Sequence, residues 1–179
     1  DNISSTTLET KIYGIKDPDE NNFTLDMWKN TEGKEIKNTI ARINKLELSQ
    51  SAENLFINTL MSYAYSPKNI SDEEFLTIKI DWLMKNNKDN ILEEFLNKNE
   101  SFYNKKKVIQ YLVDKNIAKA NLKEGCEKVN YINKEIKDSY LEKFKIYCLI
   151  FNDKKNQAQL LLDMLREQKL SNKFFDDKI

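Results

Sequence analysis

The two cysteines, Cys126 and Cys148, are the residues of this 179-residue chain whose chemistry depends most on their neighbours. A catalytic thiol needs an activating base, usually histidine, and a zinc site needs about four ligands. The sequence contains no histidine, which also excludes a Ser-His-Asp triad and the histidine pair of metalloproteases. Two interpretations therefore stay open at this point: a disulfide, or two buried thiols.

Acidic residues form three short runs, at positions 72–74, 93–94 and 176–177. Acid–base catalysis needs two carboxylates that converge in a cleft and have separated pKa values. The first run stands at a predicted helix start, where capping and the helix dipole explain it. The three scattered glycines cannot form a phosphate-binding loop. We therefore expect no catalytic residue, no cofactor and no metal site.

The densest basic run is Lys105, Lys106 and Lys107, with Tyr103 close by. A basic patch beside an aromatic ring can contact RNA or an anionic lipid surface. Three successive residues, however, point in different directions around a helix, and lysine is abundant throughout the chain. We expect a solvated helix face that, with Tyr103, is available for docking a protein partner. Trp28 is a second docking candidate, although its position also suits a packing role.

The charge balance bears on the class of partner. Lysine plus arginine and aspartate plus glutamate both total 29, so the formal net charge is zero. Nucleic-acid-binding proteins usually carry a basic excess, since phosphate contacts supply most of their non-specific affinity. The chain also lacks an apolar run of the length, about 18 residues, that a membrane helix needs. We predict no nucleic-acid partner and no membrane span.

The elements that must position these residues are helices. Only three glycines and two prolines occur, and apolar residues recur at spacings of three and four. This pattern predicts an all-α fold of about eight short helices in antiparallel hairpins. The expected N-caps are Ser49 or Ser51, Ser71, Asp89, Ser101, Asn116, Asp138 and Asp153. Glu74 is expected to complete a capping box with Ser71, and Phe174 and Phe175 to pack on the core.

Three segments share one plan, in which a helix closes, a short Asn/Asp/Lys link follows and a new helix opens. Leu83, Leu112 and Leu149 are the equivalent residues, at intervals of 29 and 37 residues. Tetratricopeptide hairpins repeat about every 34 residues, but their strict signature is missing. The pattern therefore indicates an irregular, repeat-like α-solenoid or helical array.

The sequence also predicts how the chain is divided. Residues 1–22 are polar and aperiodic, which predicts an extended N-terminal arm followed by a helical hairpin domain over residues 23–179. Ile12, Tyr13 and Ile15 are the apolar residues through which this arm can dock on the core.

A disulfide depends on the length of the sixth predicted helix. If that helix ends near Asn130, Cys126 lies about 6 Å and Cys148 about 15 Å from the hairpin end. A bridge needs Cα atoms about 4.4–6.8 Å apart. The two heights match only if the helix continues through Tyr131 and Ile132.

An early Met27-Trp28, the cysteine pair on neighbouring helices, and Leu-Arg-Glu-Gln at residues 165–168 before a phenylalanine resemble uncharacterised helical proteins of alphaproteobacteria. The resemblance covers most of the chain and carries no activity. It implies an exported protein, in which a bridge between Cys126 and Cys148 would persist.

Helical hairpins without a chemical site predict a non-enzymatic protein-protein interaction or scaffold module. We expect it in a bacterial cell envelope, periplasmic or envelope-associated, as part of a larger assembly. Two alternatives remain. One is a cytoplasmic helical adaptor with reduced cysteines, and the other is an enzyme that uses carboxylate, tyrosine or lysine chemistry.

Overall fold

The computed structural model describes residues 11–179, and this part of the chain is all-α. Strand-type pairing within it is confined to two isolated parallel bridges, Lys16 with Ser62 and Glu32 with Lys68. The α-helices are α1 (Gly33–Ile43), α2 (Gln50–Met61), α3 (Asp72–Lys85), α4 (Asp89–Lys98), α5 (Lys105–Ala118), α6 (Leu122–Lys128), α7 (Ser139–Phe151), α8 (Lys155–Glu167) and α9 (Lys173–Asp176). Short 3₁₀ turns cover Asp19–Asn21 and Val129–Tyr131.

Three of the expected caps are confirmed. The side chains of Ser49, Ser71 and Asp138 accept the amides of Ala52, Glu74 and Leu141, at 3.3, 3.1 and 3.0 Å. Each bond satisfies one of the amides that a helix start leaves without an intrahelical partner. The carboxylate of Glu74, expected to complete a capping box, instead pairs with Lys37 of α1.

Three helical hairpins, α3–α4, α5–α6 and α7–α8, are joined by links of the same construction. The first helix of each ends before a residue with positive φ, namely Asn87, Ala120 or Asp153. The amide of that residue bonds the carbonyl three residues back, and the next amide bonds the carbonyl five residues back, at 2.8–3.2 Å. This is the Schellman arrangement, which satisfies the last carbonyls of a helix.

The expected equivalence of Leu83, Leu112 and Leu149 is wrong at its middle member. Asn87, Ala120 and Asp153 follow one another at constant intervals of 33 residues. Asn116, whose carbonyl accepts the amide of Asn121, therefore corresponds to Leu83 and Leu149. Leu112 lies one helical turn too early, because α5 extends to Ala118 and includes Asn116, the expected cap of the next helix.

The chain divides into two compact units, Asp1–Tyr103 and Asn104–Ile179. In the first unit, α1 and α4 each contact α3. Ion pairs tie α1 to α3 through Lys37 and Glu74, and α2 to the start of α4 through Glu53 and Lys88.

The second unit carries an apolar cluster between α7 and α8. Ile146, Ala158, Leu162 and Leu165 form its buried part. Phe175 of α9 packs against the cluster as expected, whereas the side chain of Phe174 is 76% exposed. A four-residue helix presents two adjacent side chains in different directions, so only one of the pair reaches the cluster.

The predicted arm falls partly outside the described residues, and the division into an arm and one helical domain stays a prediction. Residues 11–16 are non-helical, and Ile15, one of the expected docking residues, is 2% exposed. Residues 25–30 form successive turns. No helix within residues 11–179 is both long and apolar enough to cross a membrane.

Candidate functional site

The candidate site is a set of side chains in the first unit that hold the main chain of residues 11–16. We call residues 11–16 the strap and call Asp72, Lys79, Lys98 and Asn99 the clamp. Asp72 and Lys79 belong to α3, Lys98 ends α4, and Asn99 is the C-cap of α4. The α3–α4 hairpin therefore supplies all four side chains.

Three successive carbonyls of the strap accept hydrogen bonds from the clamp. Lys79 Nζ donates to the carbonyl of Tyr13 at 3.0 Å, and Asn99 Nδ2 donates to that of Gly14 at 3.2 Å. Lys98 Nζ donates to the carbonyl of Ile15 at 2.7 Å. At the other end of the strap, the amide of Lys11 donates to Asp72 Oδ2 at 3.3 Å.

The opposite side of the strap pairs with the backbone that follows α2. The amides of Ile15 and Lys16 both donate to the carbonyl of Met61, at 2.8 and 3.2 Å. The amide of Tyr63 donates to the carbonyl of Lys16 at 3.0 Å. The strap thus lies between a strand-like backbone edge and the clamp, and all seven of these bonds use main-chain groups of the strap.

Two residues of the strap add side-chain selectivity. A Cβ added to Gly14 would lie 2.7 Å from the amide nitrogen of Tyr63 and 2.9 Å from the carbonyl oxygen of Met61. Both are backbone atoms, which cannot move aside as the end of a flexible side chain can. The next side chain, Ile15, is buried. The seated strap therefore needs a glycine at position 14 and buries an aliphatic side chain at position 15.

Lys79 is the most unusual member of the clamp, because its side chain is only 1% exposed. Burial lowers its pKa from 10.5 to about 7, since desolvation disfavours the ammonium form. The Tyr13 carbonyl and the face of the Phe75 ring, 4.6 Å from Nζ, act in the opposite direction. A lysine whose charge is costly to bury thus lies where its ammonium group bonds the strap.

Two carboxylates bond groups of the strap and the clamp. Glu94 of α4 lies 3.0 Å from Lys98 and 3.8 Å from Lys16, so one carboxylate serves both the clamp and the strap. Asp72 accepts a bond from Ser66 at 2.6 Å through its second oxygen. These bonds give Asp72 a structural role, so its place in the acidic run at residues 72–74 is explained without catalysis.

The cysteine pair forms a second feature, in the other unit. The sulfur atoms of Cys126 and Cys148 lie 2.10 Å apart, with their Cα atoms 5.4 Å apart, which is a disulfide. After α6 the backbone continues as a 3₁₀ turn through Tyr131, while Ile132 is extended. The bridge therefore forms although α6 ends at Lys128, so the expectation that it requires the sixth helix to continue through Tyr131 and Ile132 is wrong. Both cysteines line a cleft of about 450 Å³, together with Lys123, Lys145 and Lys154.

The lysine run does not form one exposed patch. Lys105 is only 7% exposed, although Tyr103 before it is 54% exposed. Lys106 pairs with Asp138, the cap of α7, at 3.5 Å, and Lys107 also has an interaction partner. Trp28 is half-buried edge-on to Phe75, with 6.0 Å between the ring centres. The docking role assigned to these five residues stays a prediction.

Within residues 11–179, no group of three histidine, cysteine or acidic residues is arranged to hold a metal ion. Asp17 and Asp19 line one cleft together, but Asp17 Oδ1 accepts the amide of Asp19 at 3.0 Å. Such a bond is typical of an Asx turn.

The clamp is the part of the site that the sequence did not reveal. Its bonds join residues 61 to 85 positions apart, and nothing local marks them. One usable feature exists: Lys79 lies four residues after the buried Phe75 and four before the buried Leu83, at the phase of the apolar stripe. A lysine in that phase needs a buried acceptor.

No protein-family model, no curated protein and no solved structure matches the chain. The resemblance to exported helical proteins of alphaproteobacteria therefore stays a prediction.

Proposed function

We propose that this chain is a non-enzymatic protein-interaction module whose clamp binds a non-helical polypeptide segment. The observation that carries the proposal is the grip on three successive carbonyls by Lys79, Asn99 and Lys98. Side chains that bond main-chain groups recognise a peptide backbone of suitable shape, as peptide-binding domains do. The strap is the internal example of such a ligand, and a segment of a partner protein would use the same contacts.

Repeat-like construction supports a scaffold role for the helices. Besides the constant interval between the links, buried residues recur at the same 33-residue interval. The two clearest sets are Phe75, Val108 and Leu141, and Ile80, Val113 and Ile146. An interval of this size is close to that of tetratricopeptide and ankyrin hairpins. We therefore propose a helical-repeat scaffold that belongs to a larger assembly.

The disulfide supports a proposal about the compartment. A bridge in a bacterial protein persists in the envelope or periplasm, whereas cytosolic thiols are kept reduced. We therefore propose that the module belongs to a bacterial cell envelope. Thiol counting on denatured, non-reduced protein from its native cells tests this proposal: two free thiols would support the cytoplasmic alternative instead.

Peptide binding tests the clamp directly. Gly14→Ala in the full chain keeps the clamp intact but prevents its own strap from seating. A fluorescein-labelled peptide with the sequence of residues 11–18 is then titrated, and fluorescence anisotropy measures its binding. We expect saturable binding to this variant, and binding at least about tenfold weaker to the wild-type chain, whose strap competes as an intramolecular ligand at high effective concentration.

The matched control is the same peptide carrying the Gly14→Ala change, which meets the Tyr63 backbone and should not bind. A second control adds Asn99→Ala to the Gly14→Ala chain and should weaken binding of the unmodified peptide. Equal binding of both peptides, or no binding of either, would contradict the proposal.

A further inference from the structure

The strap is joined to the rest of the first unit by a turn that makes most of its backbone bonds within itself. Residues 17–23 contain Pro18 and the 3₁₀ turn Asp19–Asn21, and Asn22 has positive φ. The amides of Asn21 and Phe23 both donate to the carbonyl of Pro18, at 3.0 and 2.9 Å. This turn folds the strap back onto α3 and α4.

Straightening the turn would release the strap at the cost of one side-chain bond to α2, which Asn58 Nδ2 donates to Asn21 Oδ1 at 3.2 Å. Fully extended, seven residues span about 23 Å, which is enough to carry the strap to a neighbouring molecule. The bonds lost inside the turn are between exposed or half-buried residues, apart from the buried Pro18. Two of the three backbone bonds inside the turn accept at the carbonyl of Pro18, and water can replace these bonds once the opened turn exposes that carbonyl.

A second copy of the chain offers the clamp a ligand that fits at every position. Its strap carries the same Gly14, which the Met61–Tyr63 backbone requires, and the same buried Ile15. It also carries Lys16, which pairs with Glu94. Exchange between two copies reproduces each of these contacts, so the cost is limited to the opened turn and the freedom lost on association.

We propose that two copies of this chain exchange their straps through the clamp and form a dimer. The inference rests on the proposed function, because it requires a clamp that accepts a segment from outside its own chain. It adds the identity of one such partner, and it predicts that dimerisation depends on Gly14 and Asn99.

Two complementary full-chain variants test the exchange. The first, Gly14→Ala, has an intact clamp and a strap that cannot seat. The second carries Lys98→Ala with Asn99→Ala and has an intact strap and a deficient clamp. Light scattering coupled to size exclusion measures the mass of each variant alone and of their equimolar mixture. We expect each alone at the 21.2 kDa of one chain, and the mixture to contain a species of twice that mass.

A mixture that stays at the mass of one chain at every concentration tested would overturn the proposal. Circular dichroism shows whether Gly14→Ala folds alone. If it does not, Ile15→Ala replaces it, because that change removes the buried contact without a backbone clash. Peptide binding distinguishes failure of the exchange from failure of the proposed function. If the peptide binds while the mixture stays monomeric, only the strap exchange is wrong. If the peptide does not bind and the mixture stays monomeric, the proposed function is wrong as well.

Discussion

At Lys79, burial and bonding have opposite effects on the pKa of the side-chain ammonium group. The side chain is 1% exposed, and burial lowers its pKa to about 7. The carbonyl of Tyr13 and the ring of Phe75 favour the charged form. A methionine would fill a similar space without a charge, but it could not donate the bond to the Tyr13 carbonyl.

Lys79 should make the first unit more stable as the pH rises. Between pH 7 and the ordinary lysine pKa of 10.5, the unfolded chain holds a proton that the folded chain has lost. The free energy of unfolding therefore increases with pH over this window, and below it the burial cost is fully present. Urea unfolding of the wild type and of Lys79→Met from about pH 6.5 to about pH 9.5 measures the difference.

Only the wild type should show the contribution from Lys79, so its slope should be the steeper of the two. The upper pH limit of these urea measurements is set by Tyr140. Burial, together with a hydrogen bond to Asp114, raises the pKa of Tyr140 to about 12. Its contribution is present below pH 10 and is lost as the pH rises towards 12, which is the opposite sign. Parallel slopes for the two proteins would show that Lys79 does not titrate in this window.

Gly14 and Gly125 form a matched pair for testing how closely the strap approaches its groove. Alanine at position 14 would meet backbone atoms at 2.7 and 2.9 Å, whereas alanine at 125 would meet only side-chain atoms, none closer than 3.4 Å. We expect Gly14→Ala to lower the free energy of unfolding by about 1–3 kcal/mol. Gly125→Ala, inside α6, should be neutral or stabilising by up to about 1 kcal/mol. Urea titrations compare them, and equal effects would contradict the close approach.

Among the elements, helix starts differ in whether the sequence predicts them. Ser49, Ser71 and Asp138 were predictable because a side-chain oxygen there accepts an amide of the first turn. The expected caps Asp89 and Asp153 were wrong. Asp89 is the first residue of α4, and Asp153 takes the left-handed position before the cap of α8.

In each hairpin link, one residue donates the last Schellman bond of the first helix and is also the N-cap of the second helix. These residues are Lys88, Asn121 and Lys154, and none of their side chains makes a cap bond. A cap without a side-chain bond has no preferred residue type, so the sequence carries no mark of it. The all-α fold was nevertheless predictable, because helical periodicity is repeated in every segment from residue 33 onward, whatever the exact boundaries.

Ala120 is the link residue most easily improved. Its φ of 55° costs an L-residue with a Cβ about 1 kcal/mol relative to glycine, whereas asparagine tolerates this region better. Ala120→Gly should therefore stabilise the chain by about 0.5–1 kcal/mol, and Asn87→Gly by less.

Ala41→Gly provides the control, since Ala41 is exposed within α1. That change should destabilise the chain by about 1 kcal/mol. Thermal unfolding followed by circular dichroism measures all three variants. Destabilisation by Ala120→Gly would show that the backbone at this link is not held in the left-handed region.

At the scale of the whole molecule, the disulfide is the covalent constraint on the second unit. It closes a loop of 22 residues that contains the irregular connection from α6 to α7. Reduction should lower the free energy of unfolding by about 3 kcal/mol. Urea unfolding with and without a phosphine reductant measures this, and a Cys126→Ala, Cys148→Ala double variant should not respond to the reductant. An unchanged transition in the reduced wild type would contradict the assigned role of the bridge.

The disulfide was partly predictable from the sequence, whereas the clamp was not. The cysteine pair was identifiable because only two cysteines exist and both lie on predicted apolar stripes. Its pairing was not settled, because that depended on three residues of 3₁₀ backbone after α6. The clamp was not identifiable at all, since two of its members are ordinary lysines in a lysine-rich chain and the strap reaches them only in the folded molecule.

The two units also differ in what they report to an experimenter. Both tryptophans, Trp28 and Trp82, belong to the first unit, and both cysteines belong to the second. Trp28 lies against Phe75, the residue that also faces Lys79. Intrinsic indole emission is therefore a native optical probe of the strap-bearing half. Thiol reagents, once the Cys126–Cys148 disulfide is reduced, address only the other half.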